Sequence, residues 1–236
     1  MTTQAVSATA GNNQMSKIFE KVATDGIWSG NVMLDTIAAQ SIGILIPNAN
    51  LTFIQPQYEA GGMAYRLQNA QTLSVSSFGL GVLAGQECFT TSRINPVRVN
   101  PNDILTAYPM PVAGAGASNA LAWVTTSKGV ELFSSSGAGL LDNVAGAMIT
   151  AVNNQTIGDA FFNSTLSSIV LQLEDGASCD SIQIIDEMGG VVFTSQGGKR
   201  GATPSSQSNE YNLSVSGLNI PIGKGWSFKV IAVKGA

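Results

Sequence analysis

Short apolar runs broken by turn residues recur along most of the chain. From Ile42 to about Phe133 the segments GILIP, LTFIQP, YRLQ, TLSVSSFGLGVL, PVRV, LAWVTT and VELF are separated by Pro47, Pro56, Gly61-Gly62, Asn100-Pro101 and Gly114. That spacing predicts strands joined by turns. In VRVNPNDIL, Val97 and Val99 alternate, Asn100 to Asp103 has turn composition, and Ile104-Leu105 resume the apolar pattern, which predicts a hairpin or a corner.

The last third repeats the pattern. Ile169, Leu171 and Leu173 share one face of SIVLQLED, and in SIQIIDEMGGVVFTS two apolar runs flank Glu187-Met188-Gly189-Gly190, a hairpin signal. YNLSVSGL sets Tyr211, Leu213 and Val215 against Asn212, Ser214 and Ser216. WSFKVIAV, apolar on both faces, predicts a central closing strand. The stretch GGKRGATPSSQSNEYNLSV before it predicts a long connection between two strands.

Helical spacing occurs twice. Met15, Ile18, Phe19 and Val22, with Lys17, Glu20 and Lys21 on the other faces, predict a short amphipathic helix; Leu140, Leu141, Val144, Ala147, Met148, Ala151 and Val152 predict another inside GAGLLDNVAGAMITAVNNQ. The expected fold class is mainly β: an antiparallel, jelly-roll-like β-sandwich, one large or two small, with one or two short helices. The expected organisation is a flexible N-terminal arm (1–14), a β-rich domain opening on a short helix (15–135), a helical connection (136–160) and a C-terminal β-sandwich portion (161–236).

Composition narrows the function. Charged residues are 11% of the chain, against about a quarter in an average domain, while 44% are hydrophobic. Such a surface of neutral hydrogen-bonding groups suits burial against partners. A net charge of -4 excludes a generally basic, nucleic-acid-coating protein. The start, MTTQAVSATAGNNQ, carries no basic cluster followed by an apolar run, and no stretch is long enough to span a membrane, so neither a signal peptide nor membrane insertion is expected. Asn-x-Ser/Thr triplets at Asn50, Asn154, Asn163 and Asn212 arise readily by chance in so polar a chain. Cys88 and Cys179 have no metal-like spacing and read as two reduced, buried thiols. The absence of His removes the commonest general base and zinc ligand.

The candidate chemistry is thin. GLGVLAG misses the dinucleotide fingerprint by one position, and GGK at Gly197 and GK at Gly223 lack the upstream glycine and following Ser/Thr of a phosphate loop. Ser16-Lys17 and Ser127-Lys128 are adjacent pairs whose side chains diverge on a strand. Glu174, Asp175, Asp180, Asp186 and Glu187 lie close in sequence; a glycosidase pair or calcium site is conceivable, but solvated turns explain them more simply. No catalytic, cofactor-binding or metal-binding residue, and no cofactor, is assigned. One charge asymmetry remains: in the tail, Lys199, Arg200, Lys224, Lys229 and Lys234 are opposed only by Glu210, and opposite charge at two ends suits docking between subunits. The interaction candidates are Lys199, Arg200, Glu174, Asp175, Asp186 and Glu187, with Lys199 and Arg200 reaching an acidic surface on a neighbouring subunit.

Four blocks carry a resemblance: the arm MTTQAVSATAGNNQ, VTTSKGVELF (Val124 to Phe133), NQTIGDAFFNSTLSSIVLQLEDGAS (Asn154 to Ser178) and GGKRGATPSSQSNEYNLSVSGLNIPIGKGW (Gly197 to Trp226). In texture the chain resembles the β-sandwich virion proteins of tailed bacteriophages, most of all capsid decoration (cement) proteins. The resemblance implies a non-enzymatic subunit of the virion that forms homo-oligomers, commonly trimers in that family, and binds the phage major capsid protein, without direct nucleic-acid or membrane contact. A tail, fibre or baseplate component, or a small jelly-roll capsid protein, is the alternative within the class. A carbohydrate-binding or adhesin sandwich is the alternative outside it, though only Trp28, Trp123 and Trp226 are available for sugar stacking.

Overall fold

The computed structural model describes residues 5–11, 21–22, 40–44, 50–57, 63–81, 97–98, 100, 102–109, 116–135, 139–173, 177–196 and 212–234. These fall into two units, Met1–Pro111 and Val112–Ala236. The division precedes the 136–160 segment, whose described residues lie in the second unit as short strands and one helical turn. The protein is mainly β, and every strand pairing is antiparallel.

The first unit has two four-stranded sheets among its described residues. One runs β2-β1-β4-β7, from β1 (Ala5–Gly11), β2 (Lys21–Val22), β4 (Asn50–Gln57) and β7 (Val97–Arg98). The other runs β3-β8-β5-β6, from β3 (Gln40–Ile44), β5 (Met63–Asn69), β6 (Val75–Gly81) and β8 (Asp103–Pro109). Residues 5–11 of the expected arm are therefore a strand laid along β4. Lys21 and Val22, the end of the expected first helix, pair with β1; the rest of that helix lies outside the described residues.

The Asn100–Asp103 turn is a corner, because β7 and β8 belong to different sheets. Asp103, 2% exposed, accepts from Asn100 N at 2.8 Å and from Asn69 Nδ2 at 2.9 Å. Asn69 Oδ1 in turn accepts from Gln71 N and Thr72 N, both at 3.0 Å, shaping the β5–β6 turn.

The second unit is a nearly closed eight-stranded sheet in the order β16-β15-β18-β13-β11-β10-β14-β17. Its strands are β10 (Ala120–Thr126), β11 (Gly129–Ser135), β13 (Ala145–Thr150), β14 (Ser164–Leu173), β15 (Ala177–Ile185), β16 (Val191–Gln196), β17 (Asn212–Ile222) and β18 (Ser227–Lys234). A short pair, β9 (Ala117–Ser118) with β12 (Leu140–Leu141), accompanies it. Curling brings β14 and β15 into contact although four strands separate them in the sheet order. One core is enclosed, holding Ala122, Val124, Phe133, Met148, Leu166, Ile169, Ile182, Ile184, Phe228 and Val230 among others.

Two bulges keep the inward set inward. On β14 the buried positions pass from Leu166 to Ile169, Leu171 and Leu173, and the change of parity coincides with the register shift at Ser167. On β15 they pass from Ala177 and Cys179 to Ile182 and Ile184, with the shift falling at Asp180, which is exposed. The expected shared face of Ile169, Leu171 and Leu173, the hairpin at Glu187–Gly190 and the central place of β18 are all present. Both Leu213 and Val215 are half-buried while Ser214 and Ser216 are exposed, as alternation predicts.

The second expected helix is a correction. Residues 145–150 form β13, held between β11 and β18, and Leu141, Val144 and Val152 of the anticipated apolar stripe are exposed at 58%, 50% and 55%. Asn143 has φ +57°, outside the right-handed helical region, and its N–H donates to Ala232 O at 2.8 Å. Pairing on both sides and burial of Met148 reward the strand where a short isolated helix would be marginal, so tertiary pairing overrides the local period. The one helix among the described residues is α1 (Ile157–Ala160), capped by Thr156, whose Oγ1 accepts from Asp159 N at 3.2 Å and donates to Asp159 Oδ2 at 2.8 Å.

The Cys179 thiol sits 4% exposed beside the bulge, and burial first, then the charge of Asp180, pushes its pKa from 9.0 up to about 12. It stays protonated at neutral pH, as expected of a reduced core cysteine; Cys88 lies outside the described residues. Mass spectrometry of the Cys179 peptide after iodoacetamide treatment at pH 8 should find no alkylation in folded protein and full alkylation in denaturant. Because the folded pKa is the higher one, the unfolded chain loses its proton first, so this group's contribution to stability falls as pH rises from 9 towards 12.

Candidate functional site

Of the acidic run, the structure describes Asp180, Asp186 and Glu187. Asp180 and Asp186 lie six residues apart on or just past one extended strand, about 20 Å at the usual rise. Paired glycosidase carboxyls stand roughly 5–9.5 Å apart. Asp186 is engaged locally: its Oδ1 accepts from Met188 N at 2.9 Å and Gly190 N at 2.7 Å, and its own N–H donates to Gly190 O at 2.9 Å. It is a turn-forming residue. Among the described residues no group of three or more His, Cys, Asp or Glu side chains could hold a metal ion, and no helix is long and apolar enough to cross a membrane. Glu174, Asp175, Lys199 and Arg200 lie outside the described residues.

Ser127-Lys128 is the turn between β10 and β11 rather than part of a strand. Ser127 Oγ accepts from Thr165 N at 3.0 Å, and Lys128 Nζ donates to Phe162 O. Both groups are used in joining the β10–β11 turn to the start of β14.

What Asp186 does build is an outward-facing apolar tip. By ordering the turn from Asp186 to Gly190 it leaves Met188 90% exposed, and β16 then opens with Val191 at 55% and Val192 at 44% exposed. Val192 is the residue left over between the pairs Ile184–Phe193 and Ile185–Val191, so a bulge turns it out. Beyond it Phe193 packs against the core while Thr194 is exposed. The hairpin is legible in the sequence, but the exposed apolar start of β16 is not among the features its pattern predicts. The signal that could have found it is the composition VVFTSQ: no charge and no proline, the two usual protections of a sheet edge.

Glu187 fixes the hairpin to the rest of the unit. Its Oε2 accepts from Trp226 Nε1 at 2.9 Å, tying the β15–β16 turn to the β17–β18 turn that also carries exposed Lys224. Trp226 is thus half-buried and polar-bonded, whereas Trp123 is fully buried. Under the same turn lies α1, where Gly158 N donates to Trp226 O at 3.0 Å. The hairpin is therefore a braced projection with an apolar tip and an acidic base.

Compared with known protein families, characterised proteins and solved structures, the chain matches none of them.

Proposed function

We propose that this chain is a non-enzymatic structural subunit of a tailed-phage particle, a decoration protein that oligomerises and cements the head against the major capsid protein. The observation that carries the reading is the braced hairpin with exposed Met188, Val191 and Val192 at its tip and at the start of β16, which among the described strands pairs with β15. Exposed apolar area on an edge strand favours a partner, because it otherwise invites uncontrolled pairing. The low charge of the chain points the same way. A jelly-roll-like or sandwich description is supported by antiparallel strands curled around one core.

The test is to mix the purified protein with expanded, undecorated heads of the source phage and measure co-sedimentation. Saturable binding at a fixed copy number per head is the expected result. Protein left wholly in the supernatant would sink the cement reading, and binding of isolated protein to glycans instead would favour the adhesin alternative.

A further inference from the structure

Four connections of the eight-stranded sheet lie at one end. Thr126 pairs with Leu166, Ser164 with Ile222, Ile185 with Ser227 and Met148 with Phe228. Strand register thereby gathers the β10–β11 turn, the segment between β13 and β14, the β15–β16 turn and the β17–β18 turn. The exposed apolar side chains Val152, Phe162, Met188, Val191 and Val192 belong to this end.

Two of the turns touch. Glu187 Oε2 accepts from Trp226 Nε1 at 2.9 Å, and a side-chain carbon on Gly225 would stand 3.5 Å from Glu187 Cβ. Lys224, on the β17–β18 turn, is exposed and pairs with no carboxylate among the described residues, although Glu187 stands on the neighbouring turn. Glu187 is exposed as well, and its bond to Trp226 uses Oε2 alone.

We infer that these two turns dock on the same two turns of a second copy of the chain about a two-fold axis, which rests on the assembly reading above and names its self-contact. An axis that lies in the contact plane and runs between the turns sets the β15–β16 turn of each copy on the β17–β18 turn of the other. Met188, 90% exposed in the single chain, then leaves water against the β17–β18 turn, where exposed Gly225 leaves the backbone bare. Lys224 of each copy meets Glu187 of the other, so the ion pair forms twice. Charge selects the second copy as occupant: an apolar tip with an acid on one turn and an unpaired base on the next is complementary to itself. The Glu187–Trp226 bond holds both turns in place beforehand, which lowers the entropy lost on docking.

The contact predicts a monomer–dimer equilibrium of the full chain in sedimentation velocity between about 1 and 100 μM, as suits a small interface. Lys224→Glu sets acid against acid at both sites and should raise the dissociation constant of the dimer at least about tenfold, and Glu187→Lys should do the same with bases. An equimolar mixture of the two variants should restore association, because only in the mixed dimer does each acid again face a base. Met188→Gln keeps both charges and the brace and should also weaken the dimer about tenfold. Far-ultraviolet circular dichroism should stay unchanged throughout. A wild type that remains monomeric, a trimer as the sole assembly, a dimer indifferent to either Lys224→Glu or Met188→Gln, or a mixture of folded charge variants no tighter than each alone would overturn the contact. If Glu187→Lys, which also breaks the Trp226 bond, loosens the fold, Lys224→Glu and Met188→Gln decide. None of these outcomes touches binding to heads, so loss of this inference and loss of the assembly reading are separately visible.

Discussion

Replacing Phe133 by alanine is expected to lower the stability of the second unit by about 3–5 kcal/mol, the usual range for deleting a fully buried ring. Phe133 is 0% exposed on β11, and its ring meets Phe161, just after α1, at 6.3 Å and Phe228 of β18 edge-on at 5.8 Å. One side chain thus joins β11, the end of α1 and β18 across the core. Removing it loses transfer free energy and leaves a cavity that a curled, hydrogen-bonded sheet cannot collapse to fill; the aromatic contacts add roughly 0.5–1.5 kcal/mol each. The urea midpoint should fall sharply with little change in slope, and Phe133→Leu should recover much of the loss. A drop below about 1 kcal/mol would mean that Phe133 does not span a closed core.

A smaller change should be nearly as damaging. Gly158→Ala adds a single carbon, and that carbon would overlap Trp226 N and stand 2.6 Å from Gly223 O and 2.8 Å from Gly225 N. All three are backbone atoms with no rotamer to escape through, so α1 or the β17–β18 turn must move. We expect a loss of about 1–3 kcal/mol and, because the turn carries Trp226, weakening of the Trp226–Glu187 bond that braces the hairpin. Gly146→Ala is the comparison: its nearest obstacle is Leu140 Cδ2, the end of a side chain rather than backbone, so a smaller loss than at Gly158 is expected. Equal effects of the two substitutions in parallel urea titrations would contradict the close packing of α1 on the turn.

The hairpin illustrates how much of the site was legible. Asp186 to Gly190 was readable because turn chemistry is local: a carboxylate two to four residues from the N–H groups it accepts, with glycines to follow. That Val191 and Val192 face solvent was not, since the same letters would be buried were β16 a central strand like β18. Nor was the bond that braces the hairpin legible, since Trp226 and its partner Glu187 are 39 residues apart in sequence.

By itself the sequence determined what depends on period and near neighbours: the mainly β class, the strands from Ser164 onward, the β15–β16 hairpin and the inward set Ile169, Leu171 and Leu173. Even the cap of α1 was written locally in Thr156-Ile-Gly-Asp159. Tertiary structure decided whatever depends on which distant strands meet. Pairing with β11 and β18 made a strand of Ala145–Thr150 against its helical period. Strand order set β18 inside and left β16 at an edge. Backbone hydrogen bonds and burial reward long-range pairing that no short window of sequence contains, and that choice left Met188, Val191 and Val192 exposed on the hairpin.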